Sequence, residues 1–410
     1  MVLEQVLELD EFKFYLRDFD KLKVVLYNYF SFVMELDDLK KILKKMDLEL
    51  KNLQNGNIVV DKTISFEEVK LFEELFKFKI SHYFPLKNEI NGRDAYYITK
   101  PVPLFGILGF GIVDRGTNII ELRPLNGCVF DCIHCSVNEE RTNLKKRDFV
   151  VDYKYFIEYT HEFIKPKENK MFLFINPQGE TMMYSKLAEF IQGLKKDEKV
   201  YKIAITTRLP FWNKEYIDKL ISSGLDQFNL SLDTLNNDKY KMLVGKNFNV
   251  NNVIKFIEEY HDKVNILLTP VWFPGINDDD LVDVLELCKK YNLGFGLQNY
   301  VRHKFGRKLK EKSWEEFGAF YESLVNKVGY RGDHMFDVFK KDYKPRNIFN
   351  IGDIIEVEIL FPGRMMNEFI AKYEDRILTV VNNSFKNIKI PSKQKVKIVR
   401  LNDNIAMATI

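Results

Sequence analysis

From residue 119 to residue 300, short apolar runs alternate with amphipathic helical stretches, and this alternation constrains the fold more than any other feature. Such a pattern is typical of repeated βα units, in which crossover helices join parallel strands. The predicted strands are residues 119–125, 171–176, 201–206, 227–232, 264–270 and 294–299. Six parallel strands form an open twisted sheet or a partial barrel. In both folds, functional residues collect in the loops after the carboxyl ends of the strands.

The stretches between these strands have the spacing of helices that bury one face. Leu281, Val284, Leu285 and Cys288 recur at helical intervals, and Gly224 lies where a preceding helix would need a C-terminal cap. This spacing supports the α/β assignment and indicates that Cys288 is a packing residue.

The flanking regions differ from this central pattern. We predict a small α/β domain over residues 1–110, a partial (β/α)6 barrel over 111–305, a helical linker over 306–345 and a small β-barrel over 346–410. The last assignment rests on short alternating strands at residues 354–360, 368–372, 377–381 and 395–399.

Charge and hydropathy narrow the class of protein. The formal net charge is only +3, so phosphate contacts have to come from local patches. The first ten residues lack the basic start of a secretory signal, and the longest apolar stretch, residues 102–113, is too short to span a bilayer. We therefore predict a cytoplasmic protein with no membrane contact; the oligomeric state is left open.

The chain has four cysteines, and Cys128, Cys132 and Cys135 lie together directly after the first predicted strand. A tight cluster of this kind points to a metal centre, because disulfides need cysteines spread along the chain. Thiolates are the preferred ligands of iron–sulfur clusters, and three ligands for a [4Fe–4S] cluster leave one iron open for catalysis. The alternatives are a structural zinc site, for which His134 is badly placed, and a structural cluster completed by Cys288.

The CX3CX2C loop after the first strand of a six-fold βα array resembles the radical S-adenosylmethionine (SAM) superfamily. His134 occupies the position that is usually aromatic in that family. The resemblance implies a [4Fe–4S] cluster whose open iron binds the amino and carboxylate groups of SAM. It also implies an external electron donor of the ferredoxin or flavodoxin type. An electron from the reduced cluster then splits the sulfonium to give a 5′-deoxyadenosyl radical, which abstracts a hydrogen atom.

Two further strand ends resemble SAM-binding motifs of this family. Gln178, Gly179 and Glu180 resemble its GGE motif, which holds the methionine amino group, although Gln178 replaces the first glycine. Thr207 ends the third strand, where the family often places polar groups toward the substrate or the methionyl carboxylate.

The last three strand ends complete the resemblance. Ser231 and Asp233 resemble the position near the carboxylate and ribose, Gly275 lies in a turn like the one that passes the adenine, and Gln298 could read the adenine edge. Each match is weak alone. Their order downstream of the cysteine loop makes the set specific for residues 110–305.

A basic stretch follows the sixth strand at the predicted barrel mouth. Guanidinium and ammonium groups there suit substrate phosphates, and a solvated lysine-rich loop is the alternative. The predicted substrate-binding residues of this stretch are Arg302, His303, Lys304, Arg307 and Lys308.

The C-terminal segment resembles the TRAM domain, a small OB-like barrel that binds RNA in several RNA-modifying enzymes. The resemblance rests on Gly352, Asp353, Arg364 and residues 376–380 and 396–399. Residues 386–400 contain six basic and no acidic side chains, and we predict that Lys395 and Lys397 contact RNA phosphates. The alternative is a barrel that only covers the catalytic domain, and the combined architecture resembles an archaeal group of radical SAM proteins.

Three functions are compatible with these patterns. The first is modification of RNA, with tRNA as the first candidate, by radical hydrogen abstraction. The second is a radical SAM reaction on a small phosphorylated metabolite or cofactor precursor. The third is a non-catalytic RNA-binding iron–sulfur protein.

Overall fold

The computed structural model describes residues 5–9, 11–80, 84–138, 146–303, 306–335, 339–382 and 388–410. The chain forms two compact units, Met1–Tyr97 with Leu144–Val150, and Ile98–Asn143 with Val151–Ile410. The second unit therefore begins before the boundary predicted at residue 110, and it includes the C-terminal strands. The finer division at residues 305 and 345 stays a prediction.

The first unit is an α/β domain with two sheets, ordered β1-β6-β5 and β12-β8-β7-β4-β3-β2. Helix α2 buries two phenylalanines, Phe72 and Phe76, on the larger sheet, where the Phe76 ring meets Phe12 and Phe14 edge-on at 5.1 and 5.2 Å. The elements are β1 (Gln5–Leu7), β2 (Phe12–Asp18), β3 (Lys21–Leu26), β4 (Phe30–Glu35), α1 (Leu36–Lys44), β5 (Leu50–Gln54), β6 (Asn57–Val60), α2 (Phe66–Ile80), β7 (Leu86–Asn88), β8 (Asp94–Ile98) and β12 (Arg147–Val151).

The second unit is built on a seven-stranded sheet ordered β19-β17-β16-β15-β13-β10-β9. Six of its strands are parallel and match the six predicted from the sequence, and β9 pairs antiparallel with β10. The partial-barrel fold is thus confirmed. The strands are β9 (Gly111–Asp114), β10 (Ile119–Arg123), β13 (Met171–Ile175), β15 (Val200–Thr207), β16 (Gln227–Leu230), β17 (Asn265–Leu268) and β19 (Gly294–Phe295).

Two short parallel pairs, β11 with β14 and β18 with β20, extend the carboxyl ends of the main strands. They are β11 (Asn126–Gly127), β14 (Gln178–Gly179), β18 (Val271–Trp272) and β20 (Gln298–Asn299). Helices cover the outside of the sheet: α3 (Tyr153–Ile164), α4 (Leu187–Leu194), α5 (Lys214–Ser222), α6 (Asn237–Val244), α7 (Asn251–Tyr260), α8 (Asp280–Tyr291) and α9 (Trp314–Val328). Short 3₁₀ helices span Thr181–Met183 and Asp333–Met335.

Local sequence signals account for the ends of these helices. The Asp152 side chain accepts a hydrogen bond from Tyr155 N at 2.8 Å at the start of α3, and Asn213 caps α5 in the same way through Tyr216 N. Gly224 follows α5 with φ +104°, as its predicted capping role requires. In the part of the chain that the structure describes, no helix is both long and apolar enough to cross a membrane.

The C-terminal strands close into a small barrel, named here the terminal barrel, in the order β21-β22-β23-β25-β24. They are β21 (Ile354–Pro362), β22 (Glu368–Tyr373), β23 (Arg376–Val381), β24 (Ser392–Asn402) and β25 (Ile405–Thr409). The closed barrel confirms the predicted fold of this segment, and β25 is an additional strand. Ile377 N donates to Phe105 O at 3.0 Å, and Ala406 N donates to Gly106 O at 3.3 Å. Backbone hydrogen bonds therefore attach the terminal barrel to the loop before β9.

Part of the segment between α9 and the terminal barrel lies against the turn between β9 and β10. Asn118 N donates to Lys340 O at 3.0 Å, and Asp342 N donates to Gly116 O at 2.9 Å. Lys167, fully buried, forms an ion pair with Asp114 at 2.9 Å in the same region. The described residues of this connection are thus held to the sheet by main-chain hydrogen bonds.

Candidate active site

A cavity of about 630 Å³ opens at the carboxyl ends of the parallel strands, where the fold predicts the functional loops. Most of the residues predicted to bind cofactors line it together, although they come from five separate loops. They are Cys128, Cys132, His134, Cys135, Gln178, Gly179, Glu180, Thr207, Ser231 and Gln298.

The cysteine loop, residues 128–135, is held by the end of helix α6. Asp131 N donates to Val244 O at 2.9 Å, and Ile133 N donates to Leu243 O at 2.9 Å. Gly245 follows with φ +66°, and a Cβ at that position would lie 2.3 Å from Asp131 O. The left-handed turn and the absence of a side chain at Gly245 therefore permit this close contact.

The three cysteines of the loop are free thiols in a largely buried setting. Burial raises the pKa of Cys132 to about 11, and burial with nearby negative charge raises that of Cys128 well above its usual value. A thiolate at these positions needs a compensating positive charge, which bound metal supplies. The donor set therefore fits iron: three soft sulfur ligands within one loop of a polar cavity.

A site for a single metal ion needs ligands that converge on one point, whereas a site for a cluster does not. Within the described residues, no group of three or more Cys, His, Asp or Glu side chains is arranged to hold one metal ion. A [4Fe–4S] cluster places each thiolate on a different iron, so its ligands need not converge on one point.

Two glycines bring the start of the cysteine loop against the loop after β13. Gly127 pairs with Gly179 between β11 and β14, and Glu180 N donates to Gly127 O at 3.0 Å. A Cβ on Gly179 would lie 2.2 Å from Gly127 O. Only glycine at position 179 allows this approach of the two backbones.

We expect Gly179→Ala to destabilise this pair of strands by about 1–3 kcal/mol, the usual cost of overpacking a close contact. Because the displaced strand leads into Cys128, iron content after reconstitution should fall in parallel. Urea denaturation and iron analysis would measure both effects.

Gly318→Ala in helix α9 is the matched control, since a Cβ there meets no atom within 4 Å. That variant should be unchanged or slightly more stable. Equal stability and equal iron content of Gly179→Ala and Gly318→Ala would contradict the steric role of Gly179.

Glu180 joins the ends of two strands. Its Oε1 accepts hydrogen bonds from Thr207 Oγ1 at 2.5 Å and from Met182 N at 3.1 Å, and its Oε2 accepts one from Arg208 N at 3.1 Å. Burial raises the pKa of Glu180, and these hydrogen bonds oppose the rise. The result is a fixed carboxyl group on the cavity wall, suited to an amine or hydroxyl donor.

Arg208 lies beside Glu180 and connects two other segments, the cysteine loop and the loop after β16. Its Nη1 donates to Ser231 O at 2.8 Å, and its Nη2 lies 2.9 Å from His134 Nε2 and 2.9 Å from Asp233 Oδ2. Burial lowers the pKa of His134 to about 4, so this imidazole is neutral at ordinary pH. From the sequence, Arg208 was grouped with Thr206 and Thr207 as polar residues at the end of the third strand, directed toward the substrate or the methionyl carboxylate. Its actual partners were not foreseen, because they lie 23 to 74 residues away.

Two of the predicted cofactor residues lie outside the cavity wall. Asp233 is fully buried, where its Oδ1 accepts from Val271 N at 2.8 Å. Gly275 is exposed in a turn with φ +81°, and its N–H donates to Asp278 Oδ2 at 2.5 Å. In this structure Asp233 holds neighbouring segments together, and Gly275 shapes a surface turn.

The predicted substrate residues after β20 differ in their surroundings. His303 lines the cavity. Arg307 instead forms an ion pair with Asp131 of the cysteine loop at 2.6 Å, and Arg302 lies 3.5 Å from Glu311. Lys308 is exposed and donates to the His303 carbonyl oxygen. Lys304 lies outside the described residues.

Strand β24 places Lys395 and Lys397 on the exposed face of the terminal barrel, as predicted. The neighbouring strand β21 pairs Glu356 with Lys395, and Glu358 with Lys393. The basic strip is therefore interleaved with carboxylates from a strand distant in sequence, which weakens its attraction for phosphates.

The cavity also includes polar residues that the sequence did not single out. Asn229 on β16 lies two residues before Ser231, so both side chains face the lumen, and Thr269 directly after β17 lines the wall as well. The two-residue alternation along each predicted strand was the signal that could have identified them.

The partial barrel and the three-cysteine loop at its mouth define a radical SAM enzyme, and the comparisons with known proteins agree. Residues 122–288 match the family model described as the Radical SAM superfamily. The chain belongs to this superfamily. It is similar to an uncharacterised protein of Methanocaldococcus jannaschii, with 30% identity over 359 residues that cover 79% of this chain and 82% of that protein.

Similarity also extends to a characterised enzyme class. The GTP 3′,8-cyclase of Clostridium botulinum strain Okra is 26% identical over 223 residues, which cover 52% of this chain and 66% of that enzyme. Among solved structures, TYW1 with a lysine-pyruvate adduct bound has a TM-score of 0.40 at 16% identity, covering 72% of this chain and 91% of that chain. Streptococcus suis SuiB bound to S-adenosylmethionine has a TM-score of 0.41 at 14% identity, covering 78% and 69%. TM-scores this low give no information about the reaction that this chain catalyses.

Family membership confirms two predictions made from the sequence. The protein is an enzyme, and its cofactors are a [4Fe–4S] cluster and SAM. Enzymes of this family also need an electron donor. The non-catalytic and structural-zinc alternatives are therefore set aside.

Proposed function

We propose that this radical SAM enzyme modifies RNA, with tRNA as the substrate to test first. In this proposal Cys128, Cys132 and Cys135 bind the cluster. Glu180, Thr207, Ser231 and Gln298 contact SAM from the loops after β13, β15, β16 and β19. When bound, the two cofactors supply a 5′-deoxyadenosyl radical for hydrogen abstraction.

One observation supports RNA above other substrates: the cavity wall is mostly neutral, whereas the rim is cationic. Apart from the cysteines, Glu180, Arg208 and His303, the described residues lining the cavity are uncharged. The guanidinium of Arg208 is already engaged by His134, Ser231 O and Asp233. A neutral polar wall suits a base or ribose, because amide and hydroxyl groups can satisfy its hydrogen bonds.

The cationic rim follows β20. Lys308 and Lys310 are exposed there, and Trp314 at the start of α9 is 69% exposed. The Asn299 side chain, which lines the cavity, donates to Lys312 O at 3.1 Å, so this segment borders the opening. Ammonium groups beside an exposed indole suit a single-stranded backbone with an unpaired base.

We expect the double variant Lys308→Ala/Lys310→Ala to bind tRNA more weakly and with less dependence on salt. Loss of two phosphate contacts should reduce the log–log salt slope by about 1.4, given roughly 0.7 per contact for a single strand. Binding measured from low to moderate salt would give the slope.

Lys255→Ala, an exposed lysine on helix α7, is the matched control and should keep the wild-type slope. Salt-insensitive binding of the wild type would contradict an RNA substrate. An unchanged slope in the double variant would place the RNA elsewhere. Formation of 5′-deoxyadenosine should rise when tRNA is added to the reduced, cluster-loaded enzyme.

Tests of the terminal barrel require point variants. Deletion would expose the Phe105 and Gly106 carbonyls that Ile377 and Ala406 now bind. Because Glu356 lies opposite Lys395 in the barrel register, the effect of Lys395→Ala/Lys397→Ala on the salt slope should be smaller than that of the rim variant.

A small nucleotide is the second candidate substrate, favoured by the 26% identity to a GTP 3′,8-cyclase. In that case GTP or another nucleoside triphosphate would stimulate 5′-deoxyadenosine formation in the absence of RNA. Stimulation by nucleotides alone would replace the RNA proposal.

We also propose a cellular location and an electron donor for the enzyme. We place it in the cytoplasm, because all four cysteines are free thiols, as is usual in reducing compartments. A ferredoxin or flavodoxin is the proposed electron donor.

A further inference from the structure

The guanidinium of Arg208 determines which nitrogen of His134 can bear a proton. Nη2 has two hydrogens, and it lies 2.9 Å from both His134 Nε2 and Asp233 Oδ2. Arginine has donors only, so His134 Nε2 must present its lone pair. A neutral imidazole that accepts at Nε2 has its hydrogen on Nδ1.

The position of Arg208 is fixed independently of His134. Nη1 donates to Ser231 O at 2.8 Å, and Asp233 is itself held by Val271 N at 2.8 Å. The His134 ring also packs against Phe273, with ring centroids 4.8 Å apart. The imidazole therefore has little freedom to rotate or to exchange its tautomer.

The other ring nitrogen lacks a partner in the described part of the chain. His134 Nδ1 is buried and forms no hydrogen bond there. A buried N–H without an acceptor costs about 1–3 kcal/mol, so such a group indicates a ligand that accepts from it. His134 lines the cavity and stands between Cys132 and Cys135 in the loop.

We infer that Arg208 is a positioning residue that holds His134 as the Nδ1–H tautomer, and that this N–H donates to an anionic acceptor of the bound cofactors. The acceptor is a sulfur of the cluster or the carboxylate of SAM, since both present negative charge beside the cysteine loop. The inference rests on the proposed ligand role of the three cysteines and is independent of the RNA substrate.

Nitrogen NMR of the ¹⁵N-histidine-labelled, cluster-free protein tests the tautomer directly. We expect the Nδ1–H form for His134 in the wild type, with the signal assigned by its loss in His134→Phe. Arg208→Met should release the ring to a mixture that includes Nε2–H, and Arg208→Lys, which keeps a donor, should restore Nδ1–H in part. An Nε2–H form in the wild type, or an unchanged tautomer in Arg208→Met, would overturn the inference.

Measurements on the cluster-loaded enzyme identify the acceptor. If the acceptor is a cluster sulfur, His134→Phe should lower the reduction potential without SAM, because a donor stabilises the more negative reduced state. If it is the SAM carboxylate, the potential stays constant and the Kd for SAM rises about tenfold, as expected for one hydrogen bond to a charged group.

His261→Phe is the matched control, because the His261 ring packs against Tyr291 on the helical exterior, with ring centroids 4.9 Å apart. His261→Phe should change neither the reduction potential nor the Kd for SAM. A His134→Phe enzyme with full iron content, an unchanged potential and an unchanged SAM Kd would exclude the donor role. These readouts need no RNA, so their outcome is separate from that of the tRNA experiments.

Discussion

Cys132→Ala is expected to abolish the cluster and with it the cleavage of SAM. Iron after anaerobic reconstitution should fall well below about four per chain, and the visible absorption of the cluster should disappear. We expect 5′-deoxyadenosine formation to fall by at least roughly 10³-fold, which corresponds to about 4 kcal/mol of lost transition-state stabilisation. Cys128→Ala and Cys135→Ala should behave in the same way, because each removes a ligand from the same loop.

The same substitution at the fourth cysteine provides the control. Cys288 is fully buried on α8, where its Sγ lies 3.7 Å from Gly294 O. Cys288→Ala removes one buried atom and should cost about 1 kcal/mol of stability, with normal iron content. Loss of iron in Cys288→Ala, or its retention in Cys132→Ala, would refute the assignment of the ligands.

Lys167→Met is expected to lower the free energy of unfolding by about 3–5 kcal/mol, a large loss for a residue away from the cavity. Lys167 and Asp114 have no exposed side-chain surface, and the ammonium lies 2.9 Å from both carboxylate oxygens. It also donates to Tyr343 O at 2.6 Å, in the segment that leads to the terminal barrel. Removal of the ammonium leaves a buried carboxylate without its counter-ion.

Lys165→Met is the matched control, because Lys165 pairs with Glu162 at 2.6 Å on the surface. An exposed pair of this kind contributes about 0–1 kcal/mol. Urea denaturation of the cluster-free proteins would compare the two. The double variant Lys167→Met/Asp114→Asn should recover part of the loss, and similar effects of Lys167→Met and Lys165→Met would show that the buried pair is unimportant.

Much of the fold could be predicted because the relevant signals are local. All six parallel strands were found from short apolar runs, since side-chain periodicity reports directly on burial within one element. The α8 stripe of Leu281, Val284, Leu285 and Cys288 is buried for the same reason. Strand β25 (Ile405–Thr409) was missed because its buried residues are the small Ala406 and Ala408, which give only a weak apolar alternation.

The neighbours of the charged residues could not be predicted, because they are distant in sequence. Arg307 was expected at substrate phosphates, but Asp131, 176 residues away, pairs with it. The lysines of β24 looked like a continuous basic strip until the barrel register placed Glu356 and Glu358 opposite them. The local charge around a residue depends on all of its neighbours, and closure of the barrel determines which residues those are.

The sequence by itself determined the chemistry of this protein: three cysteines in one short loop and the order of polar residues at strand ends. Those features are encoded by spacing and need no tertiary contact to be recognised. Only the tertiary structure decided how the site is built. The contact of Gly127 with Gly179, the hydrogen bond of Arg208 to His134, and the attachment of the terminal barrel to Phe105 and Gly106 join segments far apart in the chain. Such contacts arise when elements pack, because local periodicity specifies which face is buried but not which residue lies opposite.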